Sequence, residues 1–162
     1  MIVTLAKVKD APEILSLQKL AYQSEAERYQ DFSLPPLTQS LADINRDFET
    51  QFVIKATLNG EIIGSVRAYM EEDSCYIGRL VVHPDYQNQG VGTNLMGIIE
   101  RCFPRANRYE LFTGHRSNGS LHLYEKLGYS VYRQENVHDR LELVYLQKDS
   151  QVDNSHHLVD NS

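Results

Sequence analysis

The sequence predicts an α/β protein built on a mixed β-sheet, and three observations carry that expectation. Two runs rich in strand formers, residues 52–58 and 61–69, flank Asn59-Gly60, the preferred two-residue hairpin turn. A further run from Ser74 ends in the continuously apolar Leu80-Val81-Val82, as expected of a central strand covered on both faces. From Val91 the apolar spacing changes to the helical period. Strands and helices therefore interleave, with no internal repeat and no interdomain linker.

The remaining elements follow in order. Residues 2–8 alternate enough for a strand. Asp10, Pro12 and Glu13 then read as a helix start, with Asp10 as cap and Ile14, Leu17, Leu20 and Ala21 on one stripe. Beyond Tyr22 the chain turns polar and tyrosine-bearing. Pro35-Pro36 breaks it, and Thr38 is expected to cap a second helix carrying Leu41, Ile44 and Phe48. His83-Pro84-Asp85 stops the central strand. The helix from Val91 should bury Val91, Leu95, Ile98, Ile99 and Cys102, with Pro104 ending it. Residues 109–113 form a fifth strand. Residues 117–127 form a short helix that Gly128 terminates in a left-handed conformation. Residues 129–133 and 141–146 make a last antiparallel pair joined by a polar loop. Residues 1–147 are expected to form one domain, with 148–162 as a loose tail that holds His156-His157.

At 162 residues the chain can bury a core without disulfide or metal staples. Its 22 acidic residues exceed its 16 basic ones, a net charge of −6, which argues against nucleic acid or an anionic membrane as partner. Cys75 and Cys102 read as two reduced thiols of a cytoplasmic protein. No His/Cys cluster has metal-ligand spacing, and no leader or membrane-length apolar run is visible.

The segment Gln87-Asn88-Gln89-Gly90-Val91-Gly92 offers the sharpest chemical hint. A diphosphate needs converging backbone N–H groups, room for close approach, and the positive end of a helix dipole. Gly90 and Gly92 clear that space immediately before the helix, and Thr93 adds a hydroxyl. A Walker-type loop would need a lysine before Thr93, and a dinucleotide fingerprint would need glycine where Leu95 stands. The pattern Gln/Arg-x-x-Gly-x-Gly/Ala fits residue by residue. A glycine pair that merely makes a tight turn is the plainer alternative.

Two stretches together resemble the GNAT superfamily of acyl-CoA-dependent N-acetyltransferases. One is Arg79-Leu80-Val81-Val82-His83-Pro84-Asp85-Tyr86-Gln87-Asn88-Gln89-Gly90-Val91-Gly92, and the other is Ser117-Asn118-Gly119-Ser120-Leu121-His122-Leu123-Tyr124-Glu125-Lys126-Leu127-Gly128-Tyr129. The resemblance covers roughly residues 1–147. It implies a mostly antiparallel sheet of about seven strands flanked by about four helices. It also implies acetyl-CoA as co-substrate, with direct transfer to a primary amine of a small molecule or peptide in a ternary complex. The amides of Gln87, Asn88, Gln89, Gly90, Val91, Gly92 and Thr93 would hold the pyrophosphate. Backbone groups of Leu80, Val81 and Val82 would pair with the pantetheine arm where the central strand splays from its neighbour. Strict alignment sets Ser117 on the family's asparagine position, and Asn118, one residue on, is expected to reach the pantetheine. Tyr124 falls on the tyrosine that protonates the departing thiolate; packing is its plainer role.

The general base is unassigned. The family's glutamate position on the central strand holds Tyr76, while His83 and His122 flank the motifs. The acceptor pocket would draw on Tyr22, Glu25, Glu27, Tyr29 and Asp31, with Glu135 and His138 from the last hairpin. That acidic and aromatic set suits a cationic amine, or is simply a wet helix face. A non-catalytic CoA-binding or regulatory domain is the competing function. The resemblance also allows a homodimer.

Overall fold

The structure is a computed structural model that describes residues 1–150. Strand β1 (Ile2–Leu5) leads through a 3-10 turn into helix α1 (Ala11–Ala21), which is followed by α2 (Gln23–Tyr29), α3 (Pro35–Thr38) and α4 (Leu41–Thr50). Strands β2 (Phe52–Leu58), β3 (Glu61–Glu71) and β4 (Ser74–Val82) come next. Helix α5 (Val91–Arg101), β5 (Arg108–Gly114), α6 (Asn118–Lys126), β6 (Ser130–His138) and β7 (Leu141–Asp149) complete the order.

All seven strands join one sheet in the order β1-β2-β3-β4-β5-β7-β6, antiparallel except for the β4–β5 pair. Asn59 and Gly60 both adopt positive φ, 52° and 81°, as a tight β2–β3 hairpin turn requires. One face carries α5 and α6 over a core of Ile54, Val66, Leu95, Met96, Ile99 and Leu146. The other carries α1 and α4, with Ile14, Leu17, Ile44 and Val81 between them. Gly64 lets α5 approach the sheet: a Cβ there would lie 2.9 Å from Leu95 Cδ1 and 3.0 Å from Val91 Cγ1.

Several local expectations are corrected. The polar stretch past Tyr22 is helical, because Ala26 and Tyr29 give α2 a buried stripe among its exposed acids. Helix α4 is capped by Ser40 rather than Thr38. Ser40 Oγ accepts the Asp43 N–H, and the Asp43 carboxylate accepts the Ser40 N–H in return. Asp10 makes no side-chain cap on α1; its carboxylate takes the Lys7 N–H and the Lys55 ammonium. Met96, not Cys102, completes the buried stripe of α5, and Cys102 lies exposed past the helix end. The final hairpin is longer than expected, with strands running to His138 and from Leu141, and β7 extends through Asp149. Residues 151–162, with His156-His157, lie outside the described residues.

Candidate active site

Strands β4 and β5 pair only at Ser74↔Arg108, Cys75↔Tyr109 and Tyr76↔Glu110. Beyond Tyr76 they diverge, so the β5-facing edge of β4 from Ile77 to Val82 has no strand partner in the sheet. Backbone N–H and C=O groups left this way need a ligand or water. The divergence opens a cavity of about 1020 Å³ that runs from the loop before α5 to the underside of α2 and the β6–β7 turn.

At one end, Asn88 (φ 63°) and Gly90 (φ 85°) curl the loop left-handed into the start of α5. Gly90 takes this conformation without strain, and open space surrounds the position where its Cβ would stand. The first amides of α5 have no intrahelical acceptor, and Gly90, Gly92 and Thr93 line this end of the cavity. Gln87 Nε2 donates to Val82 O (3.2 Å) and Gln89 Nε2 to Asp85 O (3.2 Å), bracing the loop against the end of β4. A Cβ on Gly92 would meet Leu123 Cδ2 at 3.3 Å, so α5 and α6 pack closely beside the loop.

At the other end stands Tyr124, on the inward stripe of α6 and 7% exposed. Burial, with Tyr22 and Glu25 adding to it, pushes its phenol well above the ordinary tyrosine range, so it holds its proton throughout neutral pH. Tyr22 is likewise raised by burial; Arg79 pulls it down and Glu25 pushes it up. Tyr22, Glu25, Arg79 and Tyr124 all line the cavity.

A hydrogen-bond chain fixes Glu25. The Arg116 N–H donates to Tyr29 Oη (2.8 Å), Tyr29 Oη lies 2.8 Å from Ser117 Oγ, and Ser117 Oγ donates to Glu25 Oε2 (2.7 Å). Two more contacts hold α2 against the last hairpin: Asp31 with His138 Nε2 (2.8 Å), and Arg140 Nε donating to Tyr29 O (3.1 Å). The Asp31 carboxyl is lowered from the ordinary 3.8 to about 2, by its hydrogen bonds from Ser33 and then by His138.

Of the residues expected from sequence, Leu80, Val81, Val82, Gln87, Asn88, Gly90, Gly92, Thr93, Tyr124, Tyr22, Glu25 and Tyr29 line this cavity. Gln89 and Val91 do not; Gln89 braces the loop, and Val91 is buried against the sheet. Asn118 is exposed, while Ser117 is buried in the wall and engaged by Tyr29 and Glu25. Tyr76 stands at the branch point but stacks on Tyr69 at 5.4 Å, outside the cavity wall. Arg79 was read only as a motif's first residue. The signal that could have singled it out is a charged residue inside an otherwise apolar central strand.

The model of the acetyltransferase (GNAT) family matches residues 12–129, most of the chain. The chain belongs to this family. Among curated relatives of this GNAT chain, UPF0157 protein YqkA from Bacillus subtilis (strain 168) is 29% identical over 119 residues, 74% of the chain and 34% of that protein. The GNAT chain thus spans about a third of that relative's length. Among solved structures, smu.2055 from Streptococcus mutans UA159 superposes with a TM-score of 0.80 at 14% identity, covering 92% of this chain and 99% of the other. PaiA N-acetyltransferase from Thermoplasma acidophilum, in complex with coenzyme A, gives 0.68 at 16% identity, covering 93% and 100%. The mixed, mostly antiparallel seven-stranded sheet is the fold these GNAT neighbours share. Among the described residues, no His/Cys/Asp/Glu group could hold a metal ion, and no helix is long and apolar enough to cross a membrane.

Proposed function

We propose that this GNAT protein transfers an acetyl group from acetyl-CoA to a primary amine by direct attack within a ternary complex. The observation that carries the proposal is the cavity between the diverging β4 and β5, with an amide-rich loop at one end and a buried neutral phenol at the other.

The residues present fit acetyl-CoA. The curled loop and the start of α5, residues 87–93, would hold the pyrophosphate by backbone amides. The unpaired edge at Leu80, Val81 and Val82 would pair with the amides of the pantetheine arm in the manner of an added strand. Asn118 is exposed in the first turn of α6 and lies outside the cavity wall, while Ser117, in the wall, is bonded to Tyr29 and Glu25. When bound, acetyl-CoA supplies an activated thioester carbonyl.

The protein's own part is positional and protic. Tyr124 keeps its proton at Oη and offers it toward the departing sulfur, so that a thiol leaves rather than a thiolate. Glu25, held by Ser117 and ion-paired with Arg28, lines the cavity together with Tyr22, where the amine would enter in its neutral form. Tyr29 is a positioning residue, since its hydroxyl orients Ser117 and through it Glu25.

The test is Tyr124→Phe measured on both counts. Acetyl-CoA affinity by titration calorimetry should stay within about twofold of the parent, while turnover falls about 10²- to 10⁴-fold, the usual worth of a positioned acid. Equal turnover would assign Tyr124 to packing alone.

A further inference from the structure

Strand β5 lies inside the sheet, between β4 and β7, yet Phe112 within it is 55% exposed. The cause is the divergence of β4, whose pairing with β5 ends at Tyr76↔Glu110, two residues before Phe112. Helices α1 and α4 cover the neighbouring strands, taking Val53, Ile62 and Val81 of β2, β3 and β4 into their core, and leave this part of β5 open. The other face of β5 is closed, with Tyr109 and Leu111 buried in the core beneath α5 and α6.

The exposed ring is braced. Register sets Phe112 opposite Tyr145 of β7, and the two ring centroids are 5.4 Å apart. Tyr145 is fixed in turn: Arg133 Cζ lies 3.9 Å from its ring centroid, the Tyr132 ring lies 6.3 Å away, and its hydroxyl donates to Glu135 Oε2 (3.2 Å). A ring held in this way loses little freedom when a ligand packs on it. The same face of the sheet runs on beneath α2. Two residues along, Gly114 pairs with Leu143, and Tyr29 closes over Gly114. Phe112, Leu143 and the half-exposed Val137 all line the cavity.

Charge points the same way. Among the described residues, the cavity wall holds two carboxylates, Glu25 and Asp31, and both are engaged. Glu25 is paired with Arg28 and accepts the Ser117 hydroxyl. Asp31 is paired with His138 and accepts the N–H and hydroxyl of Ser33. A second cationic group on the acceptor therefore meets no unpaired carboxylate in this wall, whereas an apolar group meets Phe112, Leu143 and Val137. Apolar surface left exposed and continuous with a cavity is the complement of an apolar part of its ligand. A flat ring suits Phe112 best, because aromatic pairs gain more than the area they bury.

We propose that Phe112 is a specificity-determining residue and that the acceptor is a small amine carrying an aromatic ring, which lies against Phe112. This inference rests on the acetyltransferase reading above. It adds no step to that reaction: the amine enters neutral, its nitrogen bonds to the acetyl carbon as the carbon–sulfur bond breaks, and the proton lost by nitrogen balances the one gained by sulfur.

The test compares phenethylamine, ethanolamine and putrescine as acceptors, first with the unaltered protein and then with Phe112→Ala and Phe112→Tyr. The unaltered protein should favour phenethylamine over both others by about 10- to 100-fold in kcat/KM, the range for burying one ring against another. Phe112→Ala should erase most of that preference, chiefly by raising KM for phenethylamine, with acetyl-CoA affinity in place. Phe112→Tyr keeps the ring and should keep the preference. Comparable use of the three amines by the unaltered protein, a preference for putrescine, or a preference that survives Phe112→Ala overturns the assignment while leaving the acetyltransferase reading intact. Turnover of none of the three, with acetyl-CoA bound, also overturns the assignment, and the acetyltransferase reading falls with it only if a wider panel of amines fails as well.

Discussion

The hydroxyl of Tyr29 stands 2.2 Å from the point where a Cβ on residue 114 would lie, so Gly114 is what allows Tyr29 to rest on the end of β5. That contact places Tyr29 Oη between the Arg116 N–H and Ser117 Oγ, and so sets the whole chain to Glu25.

Gly114→Ala should therefore displace Tyr29 and uncouple Glu25. Overpacking of this kind costs about 1–3 kcal/mol. A loss of unfolding free energy of that size by urea titration, with a fall in kcat/KM for the amine, is expected. Tyr29→Phe leaves Gly114's space free and removes only the hydroxyl contacts, so it should lower kcat/KM with a smaller loss of stability. Amine kinetics and urea unfolding on both variants check this; a Gly114→Ala protein with unchanged kinetics would separate Tyr29 from the site.

Gly90→Ala should weaken cofactor binding through the backbone alone. Its φ of 85° is costly for any side chain, by about 1–2 kcal/mol, while the open space around it rules out a clash. Calorimetric titration with acetyl-CoA should show about a 5- to 30-fold rise in Kd. An unchanged Kd would mean that the loop's curl does not serve the ligand.

Acid should loosen the tie between α2 and the last hairpin. The Asp31 carboxyl is held near 2, below its unfolded value near 4, so its contribution to stability is complete above about pH 4 and is lost as the pH falls toward 2. Urea unfolding at stepped pH should show that loss, and Asp31→Asn should flatten the curve across the same window. An unaltered slope in Asp31→Asn would remove Asp31 from the acid response.

The two thiols should separate cleanly. Burial pushes the Cys75 thiol up to about 12, whereas Cys102 is exposed at the end of α5. A thiolate-directed reagent on the folded protein should label Cys102 and spare Cys75, as peptide mass mapping would show. Labelling of Cys75 at a similar rate would indicate that the core opens at that site.

Much of the loop end of the cavity was legible in the sequence, because glycines announce it. Gly90 and Gly92 mark a loop, and the shift from the apolar run Leu80-Val81-Val82 to the helical spacing from Val91 places that loop at a helix start. Tyr124 was legible through the motif around it. The end of the cavity beneath α2 was less so. Arg79 reaches the cavity because of a register shift against Val66, and no local pattern in β4 announces a bulge. Ser117 and Glu25 meet across 92 residues, a long-range contact that spacing along the chain does not encode. Helix α2 was hidden for a related reason, since its apolar stripe is only Ala26 and Tyr29 among charged neighbours.

The most direct measurement is release of free coenzyme A thiol from acetyl-CoA by the full chain, followed with and without a panel of amines and amino acids. Acetyl transfer to an amine predicts thiol release that depends on the acceptor, matched one for one by N-acetylated product in the mass spectrum. Acetyl-CoA that binds but yields no acceptor-dependent thiol with any amine would contradict it.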